Sequence, residues 1–201
     1  MTKKEKDFES KYLSSNPITK LLVNNFYASI QKTIDKLEIK NALEVGCGAG
    51  FSTEHLKRVF TQKKLEASDL RTSLVKKAVK RNPLVKISQE SAYSLKRENN
   101  SFDIIIMLEV LEHLTNPQRA LQEAKRITTK YCLFSVPEEP LFRILNICRI
   151  KYLKDLGNTP GHIQHWSKKT FHELIKQYFN IIKIKPLPGF ASVFPYSPGI
   201  P

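Results

Sequence analysis

The chain has 201 residues, 41% hydrophobic and 26% charged, with 33 Lys/Arg against 19 Asp/Glu and a formal net charge of +14. That length holds one domain with a full core and is too short for two large ones, so residues 1–201 read as a single domain of ordinary globular composition. The longest apolar run, Phe102 to Leu108, is too short to span a bilayer.

The start, Met1 to Asp7, is followed by no apolar core, so no secretory signal is expected. Cys47, Cys132 and Cys148 show neither metal nor disulfide spacing, which points to reduced thiols and a cytoplasmic location. Residues 1–11 read as a polar tail. Asn16-Pro17 then opens a helix over 18–37, with Leu21, Leu22, Phe26, Ile30, Ile34 and Leu37 on one face. A strand over Ala42 to Val45 leads to a glycine-rich turn and a helix from Phe51 to Phe60. A second strand ends at Asp69, and a helix over Thr72 to Arg81 is stopped by Asn82-Pro83. Leu84 to Ser88 reads as a short third strand. The fourth, Phe102 to Leu108, is apolar apart from Asp103, as a parallel strand buried on both faces should be. Asn116-Pro117 caps a helix reaching Ile127, and Tyr131 to Val136 is the fifth strand. Alternating strands and helices imply a parallel sheet covered on both faces. After Pro137 the pattern changes: Leu141 to Leu153 is apolar, aromatic and basic together. A loop over Gly157 to Gly161, a helix over Thr170 to Phe179 and a strand over Ile181 to Leu187 follow. The proline-rich tail allows at most a short final strand.

The stretch Leu43-Glu44-Val45-Gly46-Cys47-Gly48-Ala49-Gly50-Phe51 carries the chemistry. Spaced glycines between a strand and a helix tolerate positive φ and let a ligand approach the backbone, a nucleotide-cradling pattern. A dinucleotide site needs G-x-G-x-x-G; here the spacing is G-x-G-x-G and Phe51 stands where the third glycine would fall, which weighs against NAD. The stretch resembles motif I of the class I S-adenosylmethionine-dependent methyltransferases, an apolar strand followed by Glu/Asp-x-Gly-x-Gly-x-Gly. Asp69, roughly 20 residues on at the end of the next strand, and Ser101 to Leu114, which looks like the fourth strand and its loop, extend the resemblance in order. It implies a Rossmann-like, doubly wound α/β fold with a mostly parallel seven-stranded sheet. It also implies a lid helix over about 17–37, an acceptor-side cap over about 138–169, and S-adenosylmethionine as cofactor.

By the resemblance, Glu44 and the backbone of Gly46, Gly48 and Gly50 hold the methionine part of the cofactor. Asp69 takes the ribose hydroxyls, Leu70 packs on the adenine, and Leu108 offers its carbonyl to the amino group. Gln89 to Leu95 aligns with the family's Gly-Asp-Ala-x-x-Leu, but Ser91 stands in place of the Asp, with Glu90 beside it. Ser91, Glu90 or only the Ala92 backbone then serves the adenine amino group.

Glu109-Val110-Leu111-Glu112-His113 is the candidate for chemistry, because i, i+3, i+4 spacing puts its polar side chains on one face of a helix. Two carboxylates and an imidazole suit a divalent cation, and His162 is available as a further ligand. Glu-x-x-Glu-His with a later His-x-x-x-Trp resembles the small-RNA 3′-terminal 2′-O-methyltransferases, which bind a metal with that set. Glu-x-x-Glu-His alone also resembles the ubiquinone-biosynthesis O-methyltransferases. Glu-Val-Leu-Glu-His-Leu is equally common in metal-free small-molecule relatives, where the histidine orders the loop or lines the acceptor pocket. His113 and Glu109 are therefore the catalytic candidates. Glu109, Glu112, His113 and His162 form a metal set whose occupancy is open.

The expected activity is methylation of oxygen on a small or lipid-linked acceptor. RNA is the first rival, since residues 140–201 carry nine Lys/Arg against two Asp/Glu and a basic chain favours anionic partners. A peripheral membrane contact through Leu141 to Lys154 is another, and a non-catalytic binder built on the same fold a third. Solvated surface lysines explain the charge equally well.

Overall fold

The structure, a computed structural model, describes residues 17–61, 63–140, 143, 155–159, 161–181 and 192–198, with backbone alone for 18, 19, 22 and 192–198. The tail at 1–11, Asn16, the basic apolar stretch 141–154 apart from Arg143, and the expected strand beyond Ile181 lie outside the described residues.

Strand β4 (Phe102–Leu108) is covered on both faces from Ile104 to Leu108, as that unbroken apolar run demands. Its neighbours β1 (Asn41–Val45) and β5 (Thr128–Val136) run parallel to it. β2 (Lys64–Asp69) and β3 (Lys86–Gln89) continue the parallel part beyond β1. β6 (Phe179–Ile181) and β7 (Ser192–Pro198) join antiparallel beyond β5, giving the order β3-β2-β1-β4-β5-β7-β6. The α/β, mostly parallel architecture expected from the alternation is the one observed.

Alternation along β4 sorts the core into two layers. Ile104, Ile106 and Leu108 pack with α1 (Pro17–Ile34), α2 (Phe51–Val59) and Ala78 of α3 (Thr72–Arg81). Ile105 and Met107 pack with α4 (Pro117–Ile127) and α5 (Lys168–Lys176) on the other face. α1 buries Val23, Phe26, Tyr27, Ile30 and Ile34, one face at helical spacing, and the Tyr27 ring stacks on His55 of α2 at 4.1 Å.

Several boundaries differ from the sequence reading. β5 begins at Thr128 because the polar residues before Tyr131 still pair: Thr128 stands opposite Phe102, and the Thr129 hydroxyl donates to the Phe102 carbonyl at 3.2 Å. α5 starts at Lys168 because Ser167 caps it, accepting from the Thr170 N–H at 3.2 Å; Phe179 belongs to β6. β7 is longer than the tail's prolines suggested. Each proline gives up only its own N–H, and Pro195 and Pro198 sit opposite Leu133 and Phe179 while their neighbours pair. The parallel register brings the ends of β1, β2, β3, β4 and β5, at Val45, Asp69, Gln89, Leu108 and Val136, to one edge of the sheet.

Candidate active site

The edge where the strands end is built around the turn between β1 and α2. Gly46, Gly48 and Gly50 all have positive φ, at 79°, 57° and 82°. At Gly46 a Cβ would stand 2.5 Å from Val110 Cγ2, so the β1 and β4 loops touch there. The Gly46 and Cys47 N–H groups both donate to the Ser68 carbonyl, at 2.8 and 2.9 Å, which moors the turn to β2.

Asp69 completes that mooring. Its Oδ2 accepts from the Gly48 N–H and its Oδ1 from the Arg71 N–H, each at 2.9 Å. Leu70 next to it is 62% exposed, an apolar side chain left facing outward at the strand-end edge. Ser91 and Ala92 lie half-buried beyond β3, and the Ser91 hydroxyl accepts from the Tyr93 N–H at 3.2 Å. Glu90 is committed elsewhere: it accepts from the Ser88 hydroxyl at 2.6 Å and pairs with Arg97 at 2.9 Å.

Glu44 is fully buried within β1, under the turn. Burial pushes its carboxyl up to about 7; hydrogen bonds from Ser52 and Thr53 oppose that, and the charge of Asp69 adds to it. The Thr53 hydroxyl donates to Glu44 Oε2 at 2.5 Å. Cys47 is buried in the same place, and desolvation together with Glu44 and Asp69 holds its thiol well above the usual range, so it is inert.

The loop after β4 departs from the expected helical face. Glu109 has a left-handed backbone, φ 59°, and only Leu111–His113 forms a single 3₁₀ turn. Glu109 turns toward β5, its N–H donating to the Ser135 carbonyl at 3.1 Å and its Oε1 accepting from the Ser135 hydroxyl at 3.3 Å. It therefore stands outside the group to which the spacing assigned it. Glu112, His113 and His162 do come together: one ligand atom from each lies within 4.8 Å of the others. Glu112 is buried at 1% exposure, the two imidazoles lie 4.9 Å apart edge to face, and His113 Nδ1 lies 2.9 Å from the Gly161 carbonyl. The chain around His162 is held by Ile163 and Gln164 N–H groups donating to the Glu112 carbonyl at 3.0 and 3.1 Å. Trp166 is half-buried and packs on Phe171 at 5.4 Å between ring centres, as a residue of the core does.

Two residues that the sequence reading used only as helix punctuation support the glycine turn from behind. Asn82, wholly buried, donates from Nδ2 to the Gly50 carbonyl at 2.9 Å. Arg81 donates from Nε to the Ala49 carbonyl at 3.1 Å while its guanidinium lies over the Phe51 ring at 3.5 Å. The signal available was an Arg-Asn pair ending a helix whose preceding strand closes on Asp69.

Comparison with known proteins bears on the domain and the fold. The family model described as a methyltransferase domain matches residues 43–134. The mitochondrial ubiquinone biosynthesis O-methyltransferase of Saccharomyces cerevisiae is 30% identical over 122 residues, covering 58% of this chain and 37% of that protein. The chain spans about a third of the length of the curated relatives it matches, 37% and 30%. Among solved structures, a Pyrococcus horikoshii protein superposes with a TM-score of 0.77 at 14% identity, covering 99% of this chain and 100% of that one. A SAM-dependent methyltransferase from Aquifex aeolicus gives 0.65 at 18% identity, covering 84% and 89%. At such identities the structural likenesses concern the fold.

Proposed function

We propose that this chain, whose residues 43–134 match the methyltransferase-domain family model, is a class I S-adenosylmethionine-dependent methyltransferase that methylates oxygen on a small or lipid-linked acceptor. The observation that carries the oxygen reading is the setting of His113. A carbonyl only accepts hydrogen bonds, so the 2.9 Å contact with Gly161 puts the ring hydrogen on Nδ1 and the basic lone pair on Nε2. With the Glu112 carboxylate and the His162 ring gathered beside it, the His113 imidazole suits either of two tasks an oxygen acceptor sets. It takes the hydroxyl proton, or it helps hold a cation that acidifies the hydroxyl. The name of the yeast relative, an O-methyltransferase, supports the same acceptor atom over the part of the chain it matches.

The residues fit the cofactor. Gly46 and Gly50 let the turn pack where a Cβ would collide with Val110, Asn82 and Ala78, and with Gly48 and Glu44 they would hold its methionine part. Each Asp69 oxygen accepts one backbone N–H and keeps a further lone pair for a ribose hydroxyl. Exposed Leu70 would pack on the adenine, Ser91 and Ala92 would line its edge, and the Leu108 carbonyl would meet the amino group. When bound, the cofactor supplies a methyl group on cationic sulfur, already activated, so the chain's main task is to align the acceptor. We take the sheet as the complete seven-stranded one of this family, α1 as its lid and 138–169 as its acceptor-side cap. We keep the cytoplasm as its location.

A divalent cation on Glu112, His113 and His162 is the version of this reading that their spacing favours, and a carboxylate with two imidazoles suits a borderline ion better than magnesium. Glu109 is not part of that set and serves through its bond to Ser135. RNA as acceptor rests on the +14 charge and on the Glu-x-x-Glu-His and His-x-x-x-Trp pattern, and membrane contact on a stretch that lies almost wholly outside the described residues.

Calorimetric titration with S-adenosylhomocysteine, with manganese and with chelator, tests the reading alongside methyl transfer to catechol. His113→Asn should keep cofactor affinity and lose transfer by about 10²-fold. Absence of binding refutes the cofactor assignment; binding with undiminished transfer in the variant refutes the role of His113.

A further inference from the structure

The segment Gly161 to Trp166 is a strap across two loops. One end is tied to the loop after β4, through Gly161 to His113, through Ile163 and Gln164 to the Glu112 carbonyl, and through Gln164 Nε2 to the Leu114 carbonyl at 3.1 Å. The other is tied to the end of β5, where the Glu139 N–H donates to the Trp166 carbonyl at 3.0 Å. The strap carries two histidines, and each meets a buried carboxylate. His162 joins Glu112, as described. His165, whose side chain is 36% exposed, lies with Nδ1 3.7 Å from Oε1 of Glu139, whose side chain is 10% exposed.

A carboxylate sealed from water is expensive to keep, and an apolar residue would have filled the space at less cost. Burial pushes the Glu139 carboxyl up, while His165 and Arg143 draw it back down. A perturbed carboxylate beside an accessible imidazole, at the acceptor edge of the sheet, is the kind of pair that proton transfer uses. The oxygen-acceptor reading also leaves a gap that such a pair fills. Were Glu112, His113 and His162 to hold a cation, a base other than His113 would have to receive the hydroxyl proton.

We propose that Glu139 and His165 form a second proton-accepting pair on the acceptor side, in which Glu139 orients the ring and Nε2 of His165 takes the proton of the acceptor hydroxyl. The acceptor's O–H bond breaks and its proton passes to Nε2. The oxygen forms its bond to the methyl carbon as the bond from that carbon to sulfur breaks, and sulfur leaves with the electron pair as a neutral thioether. The imidazolium then faces the Glu139 carboxylate until it loses the proton to water. His165 is the catalytic base and Glu139 a positioning residue.

The proposal rests on the oxygen-acceptor reading, and its test separates the two. His165→Gln and Glu139→Gln would be compared with the parent chain in titration with S-adenosylhomocysteine and in transfer of labelled methyl to catechol, to benzyl alcohol and to 4-nitrocatechol. The last is acidic enough to arrive largely ionised at mildly alkaline pH. Both variants should bind S-adenosylhomocysteine as the parent does. His165→Gln should lose about 10²-fold in transfer to catechol and benzyl alcohol but little with 4-nitrocatechol, with Glu139→Gln between. An equal loss for all three acceptors would make the pair structural and overturn the proposal, as would no loss at all. A parent chain that binds S-adenosylhomocysteine yet methylates none of the hydroxyls overturns the oxygen-acceptor reading and the pair with it. A parent chain that does not bind overturns the cofactor assignment on which both stand.

Discussion

Gly50→Ala should damage the protein more than Gly46→Ala, because of what each new methyl group meets. Gly50, with φ 82°, precedes α2, and a Cβ there would lie 2.6 Å from Asn82 Nδ2, 2.9 Å from Ala78 Cα and 3.0 Å from Ala78 Cβ. Holding an L-residue in the left-handed region costs about 1–2 kcal/mol. Loss of the buried bond from Asn82 to the Gly50 carbonyl adds about 1 kcal/mol. The Ala78 contacts involve the backbone of α3, so relief needs the helix to move, at about 1–3 kcal/mol. The sum, about 3–6 kcal/mol, rivals the whole stability of an ordinary domain. Gly46 has the same backbone penalty, but the nearest atoms its Cβ would meet all belong to the Val110 side chain, at 2.5 Å from Cγ2 and 3.1 Å from Cγ1. Truncating Val110 therefore removes the obstruction at Gly46, whereas truncating Asn82 leaves Ala78 in the way of Gly50. Urea unfolding of a double-mutant cycle, Gly46→Ala with Val110→Ala, should show a favourable coupling of about 1–2 kcal/mol. S-adenosylhomocysteine titration should show binding partly restored in the pair. A Gly50→Ala protein within about 1 kcal/mol of the parent, or a cycle with no coupling, would refute the steric account of the turn.

Asp69→Asn replaces a carboxylate that accepts two backbone N–H groups with an amide that accepts one of them. S-adenosylhomocysteine should bind more weakly by about 1–3 kcal/mol, and unchanged affinity would remove Asp69 from the ribose site. Arg97 joins Glu66 at 2.8 Å and Glu90 at 2.9 Å, and those carboxylate side chains are only 3% and 4% exposed. Arg97→Met should therefore cost about 3–5 kcal/mol in urea unfolding, since Lys64 and Lys86 reach Glu66 but are not seen to reach Glu90; a loss below about 1 kcal/mol would contradict this. Glu44, raised from 4.5 to about 7 when folded, binds a proton that the unfolded chain has released. Its contribution of about 3 kcal/mol is complete below pH 4.5 and is lost as pH rises through 7, so Glu44→Gln should flatten the stability profile over that window. An unaltered slope would show that Glu44 is ionised in the folded state.

The parts of this molecule that were legible in its sequence are those encoded by neighbours. A continuous apolar run identified β4, three glycines the turn after β1, and an Asn-Pro the start of α4, where Asn116 accepts from the Arg119 N–H at 3.1 Å. The parts that were not legible depend on partners far along the chain. Glu109 fits an i, i+3, i+4 pattern only until its φ is known, and that angle accompanies bonds to Ser135, 26 residues away. The grip of Asn82 on Gly50 spans 32 residues and that of Gly161 on His113 spans 48.

This difference has a functional side. The residues assigned to the cofactor occupy one β1-to-β4 stretch, inside the 43–134 match, and much of their geometry follows from a turn that only glycine permits. The proposed acceptor side joins the ends of β4 and β5 to a strap beginning at Gly161, outside that match, and the contacts of His162 with Glu112 and of His165 with Glu139 form only when those three segments meet. A donor site read from local sequence stays recognisable while the rest of a chain diverges, whereas an acceptor site assembled from distant segments can be rebuilt by changing the strap alone. On the proposed reading, specificity should accordingly be sought in residues 138–139 and 161–166, where substitutions should alter which hydroxyl is methylated without touching the glycine turn.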